Sequence, residues 1–98
     1  DQLVIVESAI DAISYHILYY NNSTRYISTS GELNPQQPVL IIEEIKKLPA
    51  GSTIKIACDN DQGGEKIATE IRAVIPSGYI VLREIPEIGK DWNEMLLK

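Results

Sequence analysis

Residues 3–7 read Leu3-Val4-Ile5-Val6-Glu7, and this run decides the fold. Its four apolar residues show no alternation with polar ones, and most are β-branched. They predict a strand buried on both faces, the kind found inside a parallel sheet covered by helices on either side. Glu7 then stands at the carboxyl end of that strand.

Outward from this strand, Ile10, Ile13, Ile17 and Tyr20 recur at helical spacing. They predict a helix that buries this stripe and closes at Asn21-Asn22-Ser23. Tyr26-Ile27 marks a second short strand running into Ser28-Thr29-Ser30-Gly31. Asn34 is placed to cap the next helix, with Pro35 in its first turn, where the missing N–H costs little. Ile41, Ile42, Ile45 and Leu48 supply that helix's apolar face, and Pro49-Ala50-Gly51 ends it. Ile54-Lys55-Ile56-Ala57-Cys58 reads as a third strand ending at Asp59-Asn60-Asp61. The following helix buries Ile67, Ala68, Ile71, Val74 and Ile75, and stops at Pro76-Ser77-Gly78. Tyr79-Ile80-Val81-Leu82 is the fourth strand, and a loop with Pro86 and Gly89 leads to a short helix around Met95 and Leu96. The order β-α-β-α-β-α-β-α implies right-handed crossovers, a four-stranded parallel sheet and an α/β fold of three layers. Residues 1–98 form one domain on this reading, without repeat, linker or low-complexity segment.

The 98 residues are 44% hydrophobic and 23% charged, a balance that excludes a disordered chain. Cys58 is the only cysteine, so no internal disulfide forms, and a reducing cytoplasm is the expected compartment. No run approaches the roughly 20 apolar residues of a membrane span. The beginning at Asp1 and the ending on Leu96-Leu97-Lys98 suit either a segment of a longer protein or a processed terminus. The net charge of −5 and the scattered Lys and Arg residues give no basic face. If the domain works on nucleic acid, most of the electrostatic grip has to come from elsewhere.

In parallel sheets ligands sit beyond the carboxyl ends of the strands. Glu7, the Asp59-Asn60-Asp61 pair and Asp91 reach that edge from three separate positions in the chain. Asp59 and Asp61, at i and i+2, can aim their oxygens at one hard cation, and Mg²⁺ favours a few carboxylates plus water and phosphate oxygens. A helix cap explains Asp61 alone but leaves Asp59 at the exit of a buried strand. Ser8-Ala9-Ile10-Asp11 has the form of a capping box, which makes capping the main role of Asp11. The same geometry puts Asp11 one turn above Glu7, lining the acidic pocket. Gly63-Gly64 lets backbone approach a phosphate at a helix N-terminus, or answers a steric need beside the pocket. His16 lacks a second ligand at metal spacing, Cys58 suits packing, the tyrosines suit core and rim, and Trp92 anchors the last helix.

These residues resemble the Toprim domain, the metal-dependent module of primases, topoisomerases, OLD-type nucleases and recombination proteins. Leu3-Val4-Ile5-Val6-Glu7-Ser8 and Asp59-Asn60-Asp61-Gln62-Gly63-Gly64 match its two motifs, and the likeness covers essentially the whole chain. Asp11 and His16 are similar to the primase form of the first motif. Ser8 and Gly64-Glu65-Lys66-Ile67-Ala68 are more topoisomerase-like. Gly89-Lys90-Asp91-Trp92-Asn93-Glu94-Met95-Leu96 resembles the primase-like Toprim proteins of plasmids, phages and other mobile elements. The resemblance implies that Asp59 and Asp61 hold Mg²⁺ (or Mn²⁺), that Glu7 is the general acid/base, and that Asp91 completes the site, supported by Asp11 and Gly64.

The function so implied is the catalytic core of a Mg²⁺-dependent primase-like nucleotidyltransferase or nuclease. It would act in DNA replication on DNA or RNA and nucleotides, within a longer protein whose other domains complete the activity. One alternative is a non-enzymatic Toprim module that recruits nucleic acid or a partner. A second is a receiver-like domain that accepts phosphate on Asp59, although receivers carry paired acids after strand one and a fifth strand.

Overall fold

The computed structural model describes residues 2–19, 23–29 and 37–97, the side chains of Gln37 and Pro38 excepted. Along the chain run β1 (Gln2–Val6), α1 (Ala9–Leu18), β2 (Thr24–Ser28), α2 (Gln37–Lys46), β3 (Thr53–Ile56), α3 (Gln62–Val74), β4 (Ile80–Arg83) and α4 (Trp92–Leu97). The strands form one sheet in the order β2-β1-β3-β4, and every pair is parallel. This is the four-stranded α/β architecture expected from the sequence. The cap and first turn assigned to Asn34 and Pro35 lie outside the described residues, as do Tyr20, Asn21, Asn22, Ser30 and Gly31.

β1 is central, and Leu3, Val4, Ile5 and Val6 are at most 1% exposed. Alternate side chains leave the sheet on opposite sides. Leu3 and Ile5 join Ile54, Ile56, Ile41, Ile45, Ile67 and Ile71 in the core under α2 and α3. Val4 and Val6 join Ala57, Tyr15 and Trp92 in a smaller core under α1 and α4. β1 registers against β3 with Leu3 opposite Ile54 and Ile5 opposite Ile56, which sets the ends of the two strands side by side.

Helix α1 departs from its expected orientation. Ile10, Ile13 and Ile17 are 55%, 60% and 61% exposed, and the inward face carries Asp11, Ser14 and Tyr15 instead. The periodicity located the helix but not the side that faces inward. Tyr15 packs edge-on to Trp92 with ring centroids 4.9 Å apart, and its hydroxyl donates to the Glu84 carboxylate at 2.5 Å. A large aromatic with a satisfied polar tip buries more surface than an isoleucine and wins the inward position. Two smaller shifts accompany this one. The third strand's paired ladder ends at Ile56 rather than Cys58, and the fourth runs Ile80–Arg83 rather than Tyr79–Leu82.

Candidate metal centre

Because β1 and β3 are neighbours, Glu7 and Asp59 emerge together at the carboxyl edge of the sheet. The Asp59 N–H donates to Oε2 of Glu7 at 2.7 Å. Just beyond them, one carboxylate oxygen each from Asp11, Asp59 and Asp91 lie within 4.8 Å of one another. A slight inward rotation would bring such a trio onto one hard cation with metal–oxygen distances of about 2.1 Å. Oδ1 of Asp59 is buried and has no hydrogen-bond partner among the described residues. A buried, unpartnered carboxylate oxygen beside two further carboxylates is unfavourable for the chain alone and suits a hard cation such as Mg²⁺, with water completing the shell.

The electrostatics agree. Asp59 titrates far above an ordinary aspartate, at about 7, mainly because burial disfavours its charge and then because Glu7, Asp11, Asp91 and Asp61 repel it. Burial also raises Asp11, aided by Asp91 and opposed by hydrogen bonds from Ser8 and from the backbone of Asn93 and Trp92. The Cys58 thiol, pushed up to about 12 by burial and then by Glu7, is an inert packing group.

Local sequence explains how each carboxylate is held. Ser8 caps α1, its Oγ accepting from the Asp11 N–H at 3.2 Å and donating to Oδ2 of Asp11 at 2.9 Å. The expected cap is present, but Asp11 is only 4% exposed and its Oδ1 accepts from the Asn93 N–H at 3.3 Å. It is therefore a buried wall of the site as well as part of a capping box. Asp91 caps α4, accepting from the Glu94 N–H at 2.8 Å, while the Lys90 N–H donates to Oε2 of Glu94 at 3.1 Å. The same loop is tied down where the Asn60 N–H meets the Lys90 carbonyl at 2.6 Å.

Asp61 stands outside the three-carboxylate group. Expected as a metal ligand with Asp59, it is exposed instead, and its Oδ1 accepts from the Gly64 N–H at 2.7 Å, the helix cap that was the alternative reading. Its charge still acts on Asp59. Gly64 has a steric reason: a Cβ there would fall 1.9 Å from the Asp59 carbonyl oxygen, so only glycine lets α3 seat against that loop. His16 is half-buried, with Nδ1 3.1 Å from the Tyr26 hydroxyl.

The sequence reading placed Trp92 as the anchor of the last helix and Asn93 in the terminal motif, but missed their contacts and missed Arg83 altogether. Asn93 reaches Asp11 through its N–H and accepts from Ser14 Oγ at 3.3 Å. Trp92 donates its indole N–H to the Ala57 carbonyl. Arg83 threads its guanidinium under the Asp59 loop. The pattern Asp91-Trp92-Asn93-Glu94 is a capping-box signature and marks where the last helix starts. The partners of Arg83 and Asn93 are distant in sequence and leave no local signal.

With this geometry, a match to the Toprim-like family model over residues 4–96 completes the assignment: the chain belongs to the Toprim-like family. A comparison with curated proteins returns no match. Toprim-like domains are metal-binding modules of nucleic-acid-related proteins that hold Mg²⁺ through acidic residues, and this chain carries a cluster of three such residues at the expected edge. No helix among the described residues is long and apolar enough to cross a membrane.

Proposed function

We propose that this chain is the Mg²⁺-binding catalytic core of a primase-like protein that makes or cuts phosphodiester bonds in nucleic acid. The observation that carries the reading is the buried, unpartnered Oδ1 of Asp59 inside the carboxylate group formed with Asp11 and Asp91. Asp59 and Asp91, together with Asp11, hold the cation, and Asp61 adds charge from the mouth of the site. Mg²⁺, when bound, supplies charge neutralisation on the transferring phosphate and orients the attacking oxygen. Glu7 has one oxygen on the Asp59 N–H and the other for proton transfer. In synthesis it takes the proton of a 3′-hydroxyl, and in cleavage it gives one to the leaving oxygen. The Gly-Lys-Asp-Trp-Asn segment, residues 89–93, supports kinship with the primase-like proteins of mobile elements. The net charge of −5 supports a division of labour in which other domains of a longer, cytoplasmic protein grip DNA or RNA.

The same acidity favours a second reading, a Toprim module that binds metal and recruits a partner without turnover. A receiver-like phospho-acceptor is disfavoured, because the described sheet has four strands and Oδ1 of Asp59 is buried. The deciding experiment is primer extension and strand cleavage by the intact protein carrying this domain, on DNA and RNA, with Mg²⁺. Glu7→Gln keeps an acceptor for the Asp59 N–H and removes the titrating proton. Turnover should fall at least about 100-fold while the fold persists. Undiminished turnover in Glu7→Gln removes Glu7 from the acid/base role, and metal binding without any turnover in the wild type selects the recruitment module.

A further inference from the structure

We infer that Arg83 is the positioning residue of the metal centre, fixing the backbone that carries Asp59; the inference rests on the metal-binding reading proposed above. Arg83 lies at the end of β4, and its side chain is only 17% exposed. Nη1 is 3.1 Å from the Ile56 carbonyl, 2.8 Å from that of Cys58 and 2.6 Å from that of Glu84. Nη2 donates to the Asp59 carbonyl at 2.9 Å and to Oε1 of Glu65 at 2.7 Å, and Nε donates to the same Glu65 oxygen at 3.1 Å.

The Ile56 carbonyl also accepts from the Glu84 N–H at 3.0 Å, so the contacts that matter here are those to Cys58 and Asp59. The β3 ladder ends at Ile56, so the carbonyls of Cys58 and Asp59 lie past the last paired residue. Backbone carbonyls leaving a sheet in a protein interior need donors. A guanidinium presents five N–H groups in a rigid plane and can serve carbonyls spread along a loop, whereas the ammonium of lysine offers three donors from a single point. The Ala57 carbonyl between them is taken from the other side by Trp92. The strand exit is thus held by side-chain donors from β4 and from α4, and the direction of the Asp59 carboxylate follows from that hold. Cation sites demand ligand distances good to about 0.2 Å.

The Arg83–Glu65 ion pair invites a simpler account, a surface salt bridge. Glu65 is 58% exposed, however, and exposed pairs contribute little. The carbonyl contacts are the ones that reach the site.

The test uses this chain with Arg83→Lys, Glu65→Ala and Ile71→Val, the last a buried α3 residue that serves as a control for lost stability. Two quantities are read: amide hydrogen exchange at Asp59 and Asn60 without metal, and Mn²⁺ affinity by titration of the free-ion EPR signal. Arg83→Lys should speed exchange at both amides and weaken Mn²⁺ binding about tenfold, the loss typical of supporting residues around a metal. Ile71→Val and Glu65→Ala should leave both nearly unchanged. Wild-type Mn²⁺ affinity in Arg83→Lys, or equal losses in Ile71→Val, overturns the inference. If the wild type binds no Mn²⁺, the metal reading fails and the positioning role with it, whereas the exchange data alone still report the hold on the loop.

Discussion

The indole N–H of Trp92 donates to the carbonyl of Ala57 across 2.7 Å, joining the first residue of α4 to the exit of β3. Trp92 is 2% exposed and Ala57 fully buried, so no water can replace the bond. Trp92→Phe keeps most of the ring and leaves a buried carbonyl unpaired, which costs about 1–3 kcal/mol. A domain of this size loses roughly 4–8 °C of Tm for each kcal/mol. Thermal melts should show a drop of at least about 4 °C, and an unchanged Tm would contradict the assigned bond.

Adjacent glycines at the start of α3 should respond in opposite directions. Gly64→Ala drives a methyl into the Asp59 carbonyl and should destabilise by more than about 2 kcal/mol. A Cβ on Gly63 meets only Oδ1 of Asp61, at an ordinary 3.5 Å. Gly63→Ala should be neutral or stabilise by about 0.5–1 kcal/mol through restricted unfolded-state freedom. Denaturant melts of the two variants make the comparison, and equal effects would mean that α3 does not seat against the Asp59 loop.

Asp59 gives the metal-free domain a characteristic pH dependence. Its folded pKa of about 7 lies above the roughly 3.9 of an unfolded aspartate. Between those values the folded chain keeps a proton that the unfolded chain has released. Stability from this group is therefore complete below about pH 4, declines as pH rises and is gone above about pH 8. In EDTA, the wild-type Tm should fall between pH 5 and pH 8 relative to Asp59→Asn, which has no proton to lose. Parallel Tm curves for the two proteins would show that the carboxylate is not strained.

A divalent ion should reverse that trend. Binding only to the folded state adds about 1.4 kcal/mol at ten times Kd. Mg²⁺ or Mn²⁺ at pH 8 should raise Tm by several degrees beyond an ionic-strength control, and Asp59→Asn should abolish the rise. Asp61→Asn should raise the Tm in EDTA slightly by removing a charge that repels Asp59, whereas an unchanged Tm would leave Asp61 as a cap alone, since asparagine caps a helix nearly as well. The same substitution should also shrink the metal-induced rise, because Asp61 contributes charge to the site. A full metal response in Asp59→Asn would move the ion elsewhere.

The fold was legible because β1 and β3 announce themselves through uninterrupted apolar runs, and the helices through spacing between clear stops. Glu7 and Asp59 were legible for the same reason: a residue at the exit of a buried strand has its location set by the strand. The inward face of α1 was not legible. Its isoleucine stripe is the more regular pattern, yet burial followed Tyr15, Ser14 and Asp11, whose partners Glu84 and Asn93 lie about 70–80 residues downstream. Arg83, one residue past the expected end of the fourth strand, went unread for a similar reason. Its acceptors are main-chain carbonyls, which have no sequence signature.

Helix α4 has six residues, too few to persist as a helix by itself, and it is held through Trp92, Asn93 and the Asp91 cap. The carboxylates of Asp11, Asp59 and Asp91 come from the first, third and last parts of the chain. Closing such distant contacts is the slow, entropically costly part of folding. The sheet can pair before this corner closes, whereas the three carboxylates meet only after α1 and α4 have come together. Their grouping therefore reports completed folding, and damage confined to the last dozen residues would disperse it while leaving the strands intact.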